Sequence, residues 1–408
     1  VAENVALGHE PTKAFGVIDL VQAKKQVLEI SERFGFNIDP DALIEDLPVG
    51  AQQRVEIIKA LSRDAKILVL DEPTAVLTPQ ETDELMEIMR QLAKSGTSIV
   101  FITHKLREVK AVADRITVIR LGKVVGSAKP DAETSELASL MVGREVMLTV
   151  NKKPAALGDV VIEVEHVSVL DDRSQKAVND VSFEVRGGEI LALAGVQGNG
   201  QTELAEFLLG LRKPLGQKAK VNLNGKEITN KSVREVLESG VGFIPEDRQS
   251  DGLVSEFTIA ENLMLNSSYK SRFTKGLNIN FVARKRIAKE LVEQFDVRTP
   301  SAETVAHKLS GGNQQKVVVA REMSREVSLL IASQPTRGVD VGSIEFIHEQ
   351  IIAARDAGKA VILISSELDE VLALADRIAV MYRGKIVGIV EPNASREDLG
   401  KLMAGVTA

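Results

Sequence analysis

A glycine-rich loop at residues 195–202 has the residue types needed to hold a phosphate group. Its sequence is Gly-Val-Gln-Gly-Asn-Gly-Gln-Thr, which differs only at Gln201 from the phosphate-loop pattern G-x-x-x-x-G-K-[ST]. Glycines let backbone N–H groups wrap a phosphate at a helix start, where the helix dipole favours anions. Thr202 is placed to ligate Mg²⁺. Gln201 can donate a hydrogen bond but brings no charge.

The segments around this loop support a phosphate site. An apolar run at residues 190–194 precedes the loop, and a helical pattern follows at residues 203–211, as the phosphate-loop motif requires. A glycine-rich turn without any ligand is the alternative for the loop alone. The candidate nucleotide-binding residues are Gly195, Gly198, Asn199, Gly200, Gln201, Thr202 and Glu203.

One sequence unit occurs twice in the chain. Asp71-Glu72-Pro73-Thr74 returns as Ser333-Gln334-Pro335-Thr336, and Leu47-Pro48-Val49-Gly50 returns as Leu309-Ser310-Gly311-Gly312. Both pairs are 262 positions apart (333 − 71 and 309 − 47). The first copy keeps two acidic residues where the second copy has Ser and Gln. We therefore expect a duplicated site in which one half is chemically neutral.

Short apolar runs alternate with helical patterns in both copies. The predicted strands are residues 67–70, 98–102 and 116–119 in the first copy and 190–194, 329–332, 361–364 and 378–381 in the second. Helices are predicted at residues 80–94 and 343–357, each followed by a glycine. Uninterrupted apolar strands separated by helices predict an α/β fold with a mostly parallel sheet that is covered on both faces.

The repeat also suggests the domain boundaries. We predict the C-terminal part of a first domain at residues 1–150, a linker at 151–159 and a second, complete domain at 160–408. Ala2-Glu3-Asn4 matches Ala260-Glu261-Asn262 at an offset of 258, which projects the counterpart of Gly195 to a position before residue 1 (195 − 258 = −63). The expectation is a first domain that lacks its phosphate loop.

Composition excludes several classes of protein. Of 408 residues, 44% are hydrophobic and 27% are charged, as in ordinary globular proteins. No apolar run reaches 18 residues, so no transmembrane segment is expected. The lack of Cys excludes disulfides and zinc–thiolate sites. A net charge of −7, no Trp and two Tyr argue against broad electrostatic binding to nucleic acid or anionic lipid.

Three motifs together identify a family. The loop at 195–202, the run Leu-Ser-Gly-Gly-Asn-Gln-Gln-Lys at 309–316 and the run Ile-Leu-Val-Leu-Asp-Glu-Pro-Thr at 67–74 resemble the ATP-binding subunits of ABC transporters. The tandem arrangement resembles the subunits of simple-sugar and nucleoside importers, whose second domains carry phrases like those at 244–248, 251–254 and 335–340. Gln201 and the neutral Ser333-Gln334 pair are more similar to the nucleoside branch. The implied fold is two tandem phosphate-loop ATPase domains with helical signature subdomains.

The resemblance implies a first composite site that is competent for ATP hydrolysis. Asp71 would hold Mg²⁺ through water, Glu72 would orient or deprotonate the attacking water, and His104 would contact the γ-phosphate. The signature residues of the other domain, Ser310, Gly311 and Gly312, would bind that phosphate from the far side. A simple strand cap at Asp71-Glu72 and a structural role for His104 are the alternatives.

The same resemblance implies a degenerate second composite site. Gln201 and Thr202 would face residues 47–51. Five positions depart from the family pattern, namely Ser333 for the Mg²⁺ Asp, Gln334 for the catalytic Glu, Ser366 for the His, Pro48 for the signature Ser, and Ala51 where the second copy has Asn313. We expect this site to bind nucleotide without turnover. Glu246 lies where first domains of this fold usually carry a Gln that senses Mg²⁺.

The implied protein is a peripheral ATPase on the cytoplasmic membrane face that uses ATP and Mg²⁺. Its implied partners are integral membrane permease subunits and, indirectly, an extracytoplasmic substrate-binding lipoprotein; no nucleic acid is expected. One alternative is a soluble ABC ATPase on ribosomes or DNA, although the repeats are separated by a short linker without long coiled coils. A second alternative is a non-catalytic binding fragment.

Two local expectations concern the helix that follows Leu309. Ser310 is expected to serve as its N-terminal cap as well as in phosphate binding. Gln314-Gln315-Lys316 and its counterpart Gln52-Gln53-Arg54 are expected to lie on solvated helix faces.

Overall fold

The computed structural model describes residues 1–405 except 48, 64, 75, 76, 78, 121, 145–151 and 277. The chain forms two compact units, Val1–Gly143 and Arg144–Ala408. The predicted domain end at residue 150, the first predicted linker residue Asn151, and Pro48 lie outside the described residues.

The first unit contains two short sheets and a helical layer. Its elements are α1 (Ala2–Ala6), α2 (Leu20–Phe34), α3 (Val49–Leu61), β1 (Ile67–Asp71), α4 (Pro79–Lys94), β2 (Ser98–Ile102), α5 (Leu106–Val112), β3 (Ile116–Arg120), β4 (Lys123–Ala128) and α6 (Thr134–Val142). Strands β1 and β2 are parallel, whereas β3 and β4 are antiparallel. Apolar residues of α2, α3 and α4, such as Val27, Ile58 and Leu92, pack into one core with Leu68 and Leu70 of β1.

Side-chain caps explain where several helices begin. The Asp19 carboxylate accepts a hydrogen bond from the Gln22 backbone N–H at 3.2 Å at the start of α2. The Asp340 carboxylate accepts in the same way from Ser343 N–H at 3.0 Å, at the start of the helix over residues 341–356. Such caps satisfy backbone donors that the first helical turn leaves unpaired. Helix α2 ends at Gly35, whose φ of 68° favours glycine.

The second unit contains the larger set of elements. They are β5 (Val160–Leu170), β6 (Lys176–Arg186), β7 (Ile190–Ala194), α7 (Gln201–Leu208), β8 (Lys220–Leu223), β9 (Lys226–Glu227), α8 (Val233–Glu238), β10 (Val241–Ile244), α9 (Ile259–Met264), β11 (Thr274–Lys275), β12 (Asn278–Ile279), α10 (Phe281–Gln294), α11 (Gly311–Met323), β13 (Leu329–Ser333), α12 (Val341–Asp356), β14 (Ala360–Ser365), α13 (Leu368–Leu374), β15 (Arg377–Tyr382), β16 (Lys385–Val390) and α14 (Arg396–Met403).

A six-stranded sheet organises this unit. Its order is β10-β13-β14-β7-β15-β16, in which only β16 is antiparallel to its neighbour. Every residue of β7, β13 and β14 is buried. On one face, residues such as Ala192 and Leu330 pack against apolar residues of α9 to α13. On the other face, Leu191 and Leu329 pack with α7 and with the antiparallel sheet β6-β5-β8-β9.

The predicted α/β fold with a mostly parallel sheet is confirmed, and each predicted strand lies within an observed strand. The helix predicted at 80–94 lies within α4, the one predicted at 343–357 extends one residue beyond α12, and the one predicted at 203–211 ends earlier, at Leu208 of α7. The expectation of cover on both faces holds in the second unit only. In the first unit, Ile67 and Val69 of β1 are 66% and 60% exposed, whereas their counterparts Leu329 and Ile331 are fully buried. In the second unit β7 lies between β14 and β15, but the described residues of the first unit place no strand between β2 and β3.

Candidate functional site

The end of β1 holds the acidic pair in a defined backbone conformation. Asp71 is the last residue of β1, is exposed, and pairs in register with Ile102 of β2. Glu72 follows in the left-handed region with φ of 44°, a backbone conformation that residues other than glycine adopt rarely. Its backbone N–H donates to the Ile102 carbonyl at 2.9 Å. The strand end therefore fixes the direction in which the Glu72 side chain leaves the backbone.

His104, which follows β2, contacts this carboxylate. Its Nδ1 lies 2.8 Å from Glu72 Oε1. The two side chains are 22% and 40% exposed, respectively, so water can reach both. A carboxylate that is oriented by an imidazole and open to water is an arrangement that can activate a water molecule for attack.

A buried carboxylate that sequence reasoning missed lies behind this pair. Glu108 of α5 accepts hydrogen bonds from Thr74 Oγ1 at 2.7 Å and from Thr103 Oγ1 at 3.2 Å, one at each of its oxygens. Thr74 follows Glu72 by two positions, and Thr103 precedes His104. Glu108 thus connects the two loops that carry the acidic pair and the imidazole. The available signal was its recurrence in the other copy as Glu370.

In the second unit, the glycine-rich loop connects β7 to α7. Gly198 and Gly200 have φ of 86° and 98°, and a Cβ at Gly200 would lie 2.2 Å from the Ala177 carbonyl oxygen. Only glycine fits that position without displacement of the backbone. Asn199 is half-buried, and its side chain is held in place because it accepts from Arg383 N–H at 2.7 Å and donates to the Val196 carbonyl at 3.1 Å.

The first residues of α7 are placed differently from one another. Gln201 is buried, and its Nε2 donates to the Val196 carbonyl at 3.3 Å across the loop. Thr202 is exposed and Glu203 is half-buried. The uncharged amide of Gln201 therefore occupies the position that the motif gives to a lysine, and the Thr202 hydroxyl faces outward.

Glu246, in the segment after β10, contacts the same loop. Its Oε1 accepts from Gln197 Nε2 at 2.8 Å, and its Oε2 accepts from Thr202 Oγ1 at 3.2 Å. The Arg337 guanidinium forms an ion pair with this carboxylate. The Glu246 carboxylate therefore lies against the glycine-rich loop, whose backbone geometry suits anions.

The neutral pair repeats the backbone geometry of the acidic pair. Gln334 has φ of 45°, and its N–H donates to the Ile364 carbonyl at 2.7 Å. Ser333 ends β13 and is buried. The Ser366 hydroxyl donates to Gln334 Oε1 at 3.3 Å, where the first unit has the Glu72–His104 contact. None of these side chains can accept a proton from water near neutral pH.

The signature run is placed at the start of α11. Ser310 is the residue before the helix, but its hydroxyl makes no capping hydrogen bond and instead accepts from Asn313 Nδ2 at 2.9 Å. The expectation that the Ser310 side chain caps the helix is therefore wrong. Close packing favours glycine at position 312, because a Cβ there would lie 2.3 Å from Ser343 Oγ and 2.5 Å from Asp340 Oδ2. At Gly311 a Cβ would meet the flexible end of Arg248, with Nη2 at 2.5 Å.

The expected solvated face of α11 is also wrong. Gln314, Gln315 and Lys316 are all buried. Gln314 Nε2 donates to the Ala306 carbonyl at 3.1 Å, and Lys316 Nζ forms an ion pair with Asp296 at 2.6 Å. Gln314 and Lys316 can be buried because a backbone carbonyl and a carboxylate, respectively, pair with their polar groups.

This fold and these loops define an ATP-binding subunit of an ABC transporter, and the chain belongs to that family. The family model for ABC transporters matches residues 1–75 and 178–337. As a member, the protein binds ATP and is an ATPase.

Three relatives align over nearly the whole chain. The nucleoside import ATP-binding protein NupA of Lactococcus lactis subsp. cremoris (strain MG1363) is 51% identical over 99% of this chain and 80% of its own length. The guanosine import ATP-binding protein NupO of Bacillus subtilis (strain 168) is 50% identical over 100% and 80%. A glucose import ATP-binding protein of Haloferax volcanii is 45% identical over 94% and 70%. These relatives favour the transport function over a ribosome- or DNA-associated ATPase.

Proposed function

We propose that this protein hydrolyses ATP to drive the import of a nucleoside through a membrane permease. The observation that carries the hydrolytic part is the 2.8 Å contact between His104 Nδ1 and Glu72 Oε1. The nucleoside part rests on the relatives, because those named for nucleoside or guanosine import are 51% and 50% identical. Relatives named for glucose and xylose import are 45% and 38% identical.

In this proposal the first unit supplies the groups that act on water. The Glu72 carboxylate takes a proton from the water that attacks the γ-phosphate, and His104 holds that carboxylate and the phosphate in line. Asp71, exposed at the end of β1, would help to hold Mg²⁺ through water. Ser310 and the N–H groups of Gly311 and Gly312 stabilise the charge that develops on the phosphate.

The second unit, in this proposal, binds ATP without turnover. Its loop offers backbone N–H groups and the exposed Thr202 hydroxyl, but Ser333 and Gln334 provide no base. Thr202 and Glu246 offer hard oxygen donors of the type that Mg²⁺ prefers, so the donor set fits this metal. When bound, Mg²⁺ neutralises phosphate charge.

We further propose that the protein is peripheral on the cytoplasmic face of the membrane, bound to the permease, with an extracytoplasmic lipoprotein delivering the solute. Among the described residues, no helix has both the length and the apolar character needed to cross a bilayer. The support for the permease comes from the relatives, which are import ATP-binding proteins.

The experiment that tests this proposal is reconstituted uptake. The protein, its permease and its binding protein are placed in proteoliposomes with ATP inside, and uptake of labelled guanosine, xylose and glucose is compared. Guanosine should be accumulated and should stimulate ATPase activity, and Glu72→Gln should abolish both. Accumulation of a sugar but not guanosine would overturn the substrate, whereas uptake that survives Glu72→Gln would overturn the proposed catalytic site.

A further inference from the structure

The second unit carries a local excess of positive charge on the hairpin β11–β12 and on α10, which follows it. Residues 270–289 contain seven Lys or Arg and no Asp or Glu, although the whole chain has a net charge of −7. The equivalent stretch of the first unit at the offset of 262, residues 8–27, contains three Lys and two acidic residues. The charge excess therefore distinguishes the second unit from the first.

The cations of the two stretches also differ in their partners. In the first unit each of the three lysines forms an ion pair, Lys13 with Asp19, Lys24 with Asp41 and Lys25 with Glu29. In the second unit three cations of α10 pair with glutamates. Lys275 of β11 and Lys285 of α10, however, are exposed and form no ion pair with the residues that the structure describes. Their charges are therefore available to a partner.

Large apolar side chains lie beside these two lysines. Phe281 and Val282, the first residues of α10, are 64% and 81% exposed, and Ile279 of β12 is 39% exposed. Lys285 follows Phe281 by four positions and Val282 by three, so it is their neighbour on the helix surface. Lysines next to exposed aromatic and aliphatic side chains are typical of helices that lie in a membrane interface.

The turn that presents these side chains is anchored in the protein. Phe273 is 1% exposed, and its carbonyl accepts a hydrogen bond from Asn280 N–H at 2.8 Å. The Asn280 side chain accepts from Ala283 N–H at 3.1 Å and caps the start of α10. The outward position of Phe281 and Val282 is therefore part of the folded structure.

We propose that this patch, formed by Lys275, Ile279, Phe281, Val282 and Lys285, contacts anionic lipid headgroups at the membrane surface. The apolar side chains enter the headgroup region, while the lysine stems keep the ammonium groups beside the lipid phosphates. The proposal rests on the proposed function, which places the protein at the membrane. The net charge of −7 does not oppose it, because salt screens exposed charges that lie more than about 8–10 Å away.

Two other partners match part of the patch. A nucleic acid would pair with the lysines and stack on Phe281, but Ile279 and Val282 offer it neither charge nor a stacking surface. An acidic face of the permease would pair with the lysines but would also need a pocket for the apolar side chains. A lipid surface accepts both kinds of side chain next to each other without a matching pocket.

Co-sedimentation of the full chain with lipid vesicles tests the proposal. Vesicles made of equal parts of phosphatidylcholine and phosphatidylglycerol are compared with vesicles of phosphatidylcholine alone. The anionic vesicles should bind the protein about tenfold more tightly or better, since each lysine near such a surface contributes about a factor of five. An increase in salt from about 0.1 M to about 1 M should remove most of this preference, because the Debye length falls from about 10 Å to about 3 Å.

Two variants separate the charged from the apolar part of the patch. Lys275→Glu combined with Lys285→Glu should abolish the preference for anionic vesicles. Val282→Ser keeps every charge and should weaken binding to those vesicles about threefold or more, because it removes an apolar side chain that leaves water on binding. An unchanged melting temperature shows that each variant is folded.

Matched controls carry the same changes elsewhere. Lys226→Glu combined with Lys385→Glu reverses two exposed charges of the second unit and should leave the preference intact. Val21→Ser changes a residue of α2 that is 72% exposed, and it should leave binding unchanged because the nearby lysines of the first unit are paired.

Several outcomes would overturn the proposal. Equal binding to both kinds of vesicle, or a preference that the double lysine variant retains, would exclude the lipid contact. Binding only to phosphatidylcholine proteoliposomes that hold the permease, lost in the double lysine variant, would assign the patch to the permease. Tighter binding to duplex DNA than to anionic vesicles, lost in the same variant, would assign it to nucleic acid. The hydrolysis and uptake tests at Glu72 do not depend on these results, so the two failures are distinguishable.

Discussion

The Thr74 hydroxyl donates to the buried Glu108 at 2.7 Å, and the Thr336 hydroxyl donates to the buried Glu370 at the same 2.7 Å. The two units differ at the second carboxylate oxygen. In the first unit it accepts from Thr103 at 3.2 Å. In the second, Oε2 of Glu370 is buried with no hydrogen-bond partner among the described residues. The unit with the acidic pair therefore uses this carboxylate to connect two loops, whereas in the second unit Glu370 connects one loop to α12, where its Oε1 lies 3.1 Å from His348 Nε2.

Replacement of Glu108 should slow hydrolysis without removing a reacting group. Glu108→Ala frees the loops that carry Glu72 and His104, and misplacement of catalytic groups by about 1 Å can cost about a hundredfold in rate. We expect kcat to fall about tenfold to a hundredfold while KM for ATP changes little. Steady-state kinetics measure both constants. Glu370→Ala is the matched control and should leave kcat nearly unchanged, so equal losses at both positions would contradict the positioning role.

Glu72→Gln should abolish hydrolysis, whereas Gln334→Ala should have a mild effect. Only Glu72 can act as a base near neutral pH, and loss of such a group costs about 10²–10⁴ in rate. Phosphate release under saturating Mg-ATP measures the effect. If the two variants lost activity to the same extent, a single hydrolytic site would be the wrong description.

Ser310→Ala should impair hydrolysis more than Pro48→Ala. Ser310 precedes α11, and its hydroxyl accepts a hydrogen bond from Asn313 Nδ2 at 2.9 Å. Among the residues that the structure describes it donates none, which leaves its proton for a phosphate oxygen. The loss of a hydrogen bond to a charged group costs about 1.5–3 kcal/mol, or about tenfold to a hundredfold. Equal sensitivity of kcat at the two positions would refute the role assigned to the signature run.

Gln201→Lys should tighten nucleotide binding in the second unit without restoring turnover. A charge-assisted hydrogen bond contributes about 1.5–3 kcal/mol, so we expect about tenfold to a hundredfold in affinity. Hydrolysis should not appear in a Glu72→Gln background because Ser333, Gln334 and Ser366 provide no base. Calorimetry and phosphate release decide the two parts separately. An unchanged affinity would mean that the loop does not hold phosphate through this position.

Much of the fold was predictable because the buried strands are continuous apolar runs. Residues 329–332 and 361–364, for example, belong to strands that the structure buries completely. The antiparallel strands β5 and β6 were harder to predict, since their register shifts repeatedly and weakens the alternating pattern.

The contacts that sequence reasoning missed are those between residues distant in sequence. Glu246 meets Thr202 across 44 positions, and Glu108 meets Thr74 across 34. Glu108 lies on the short helix α5, and its charge is the kind expected at a solvated position. Lys316 likewise has the charge of a surface residue, but it is buried, and its ammonium pairs with the exposed carboxylate of Asp296 in the preceding segment. Hydrophobic periodicity carries no information about such polar pairs.

The backbone is left-handed at both Glu72 and Gln334, with φ of 44° and 45°. The turn at Gln334 can therefore serve as an internal control for the turn at Glu72. One backbone turn is present twice, once with a proton acceptor and once without. Heat or denaturant that unfolds both units should disturb both turns, whereas loss of the proton acceptor alone should affect only the first copy. Comparison of the two turns therefore separates a loss of backbone structure from a loss of the catalytic group.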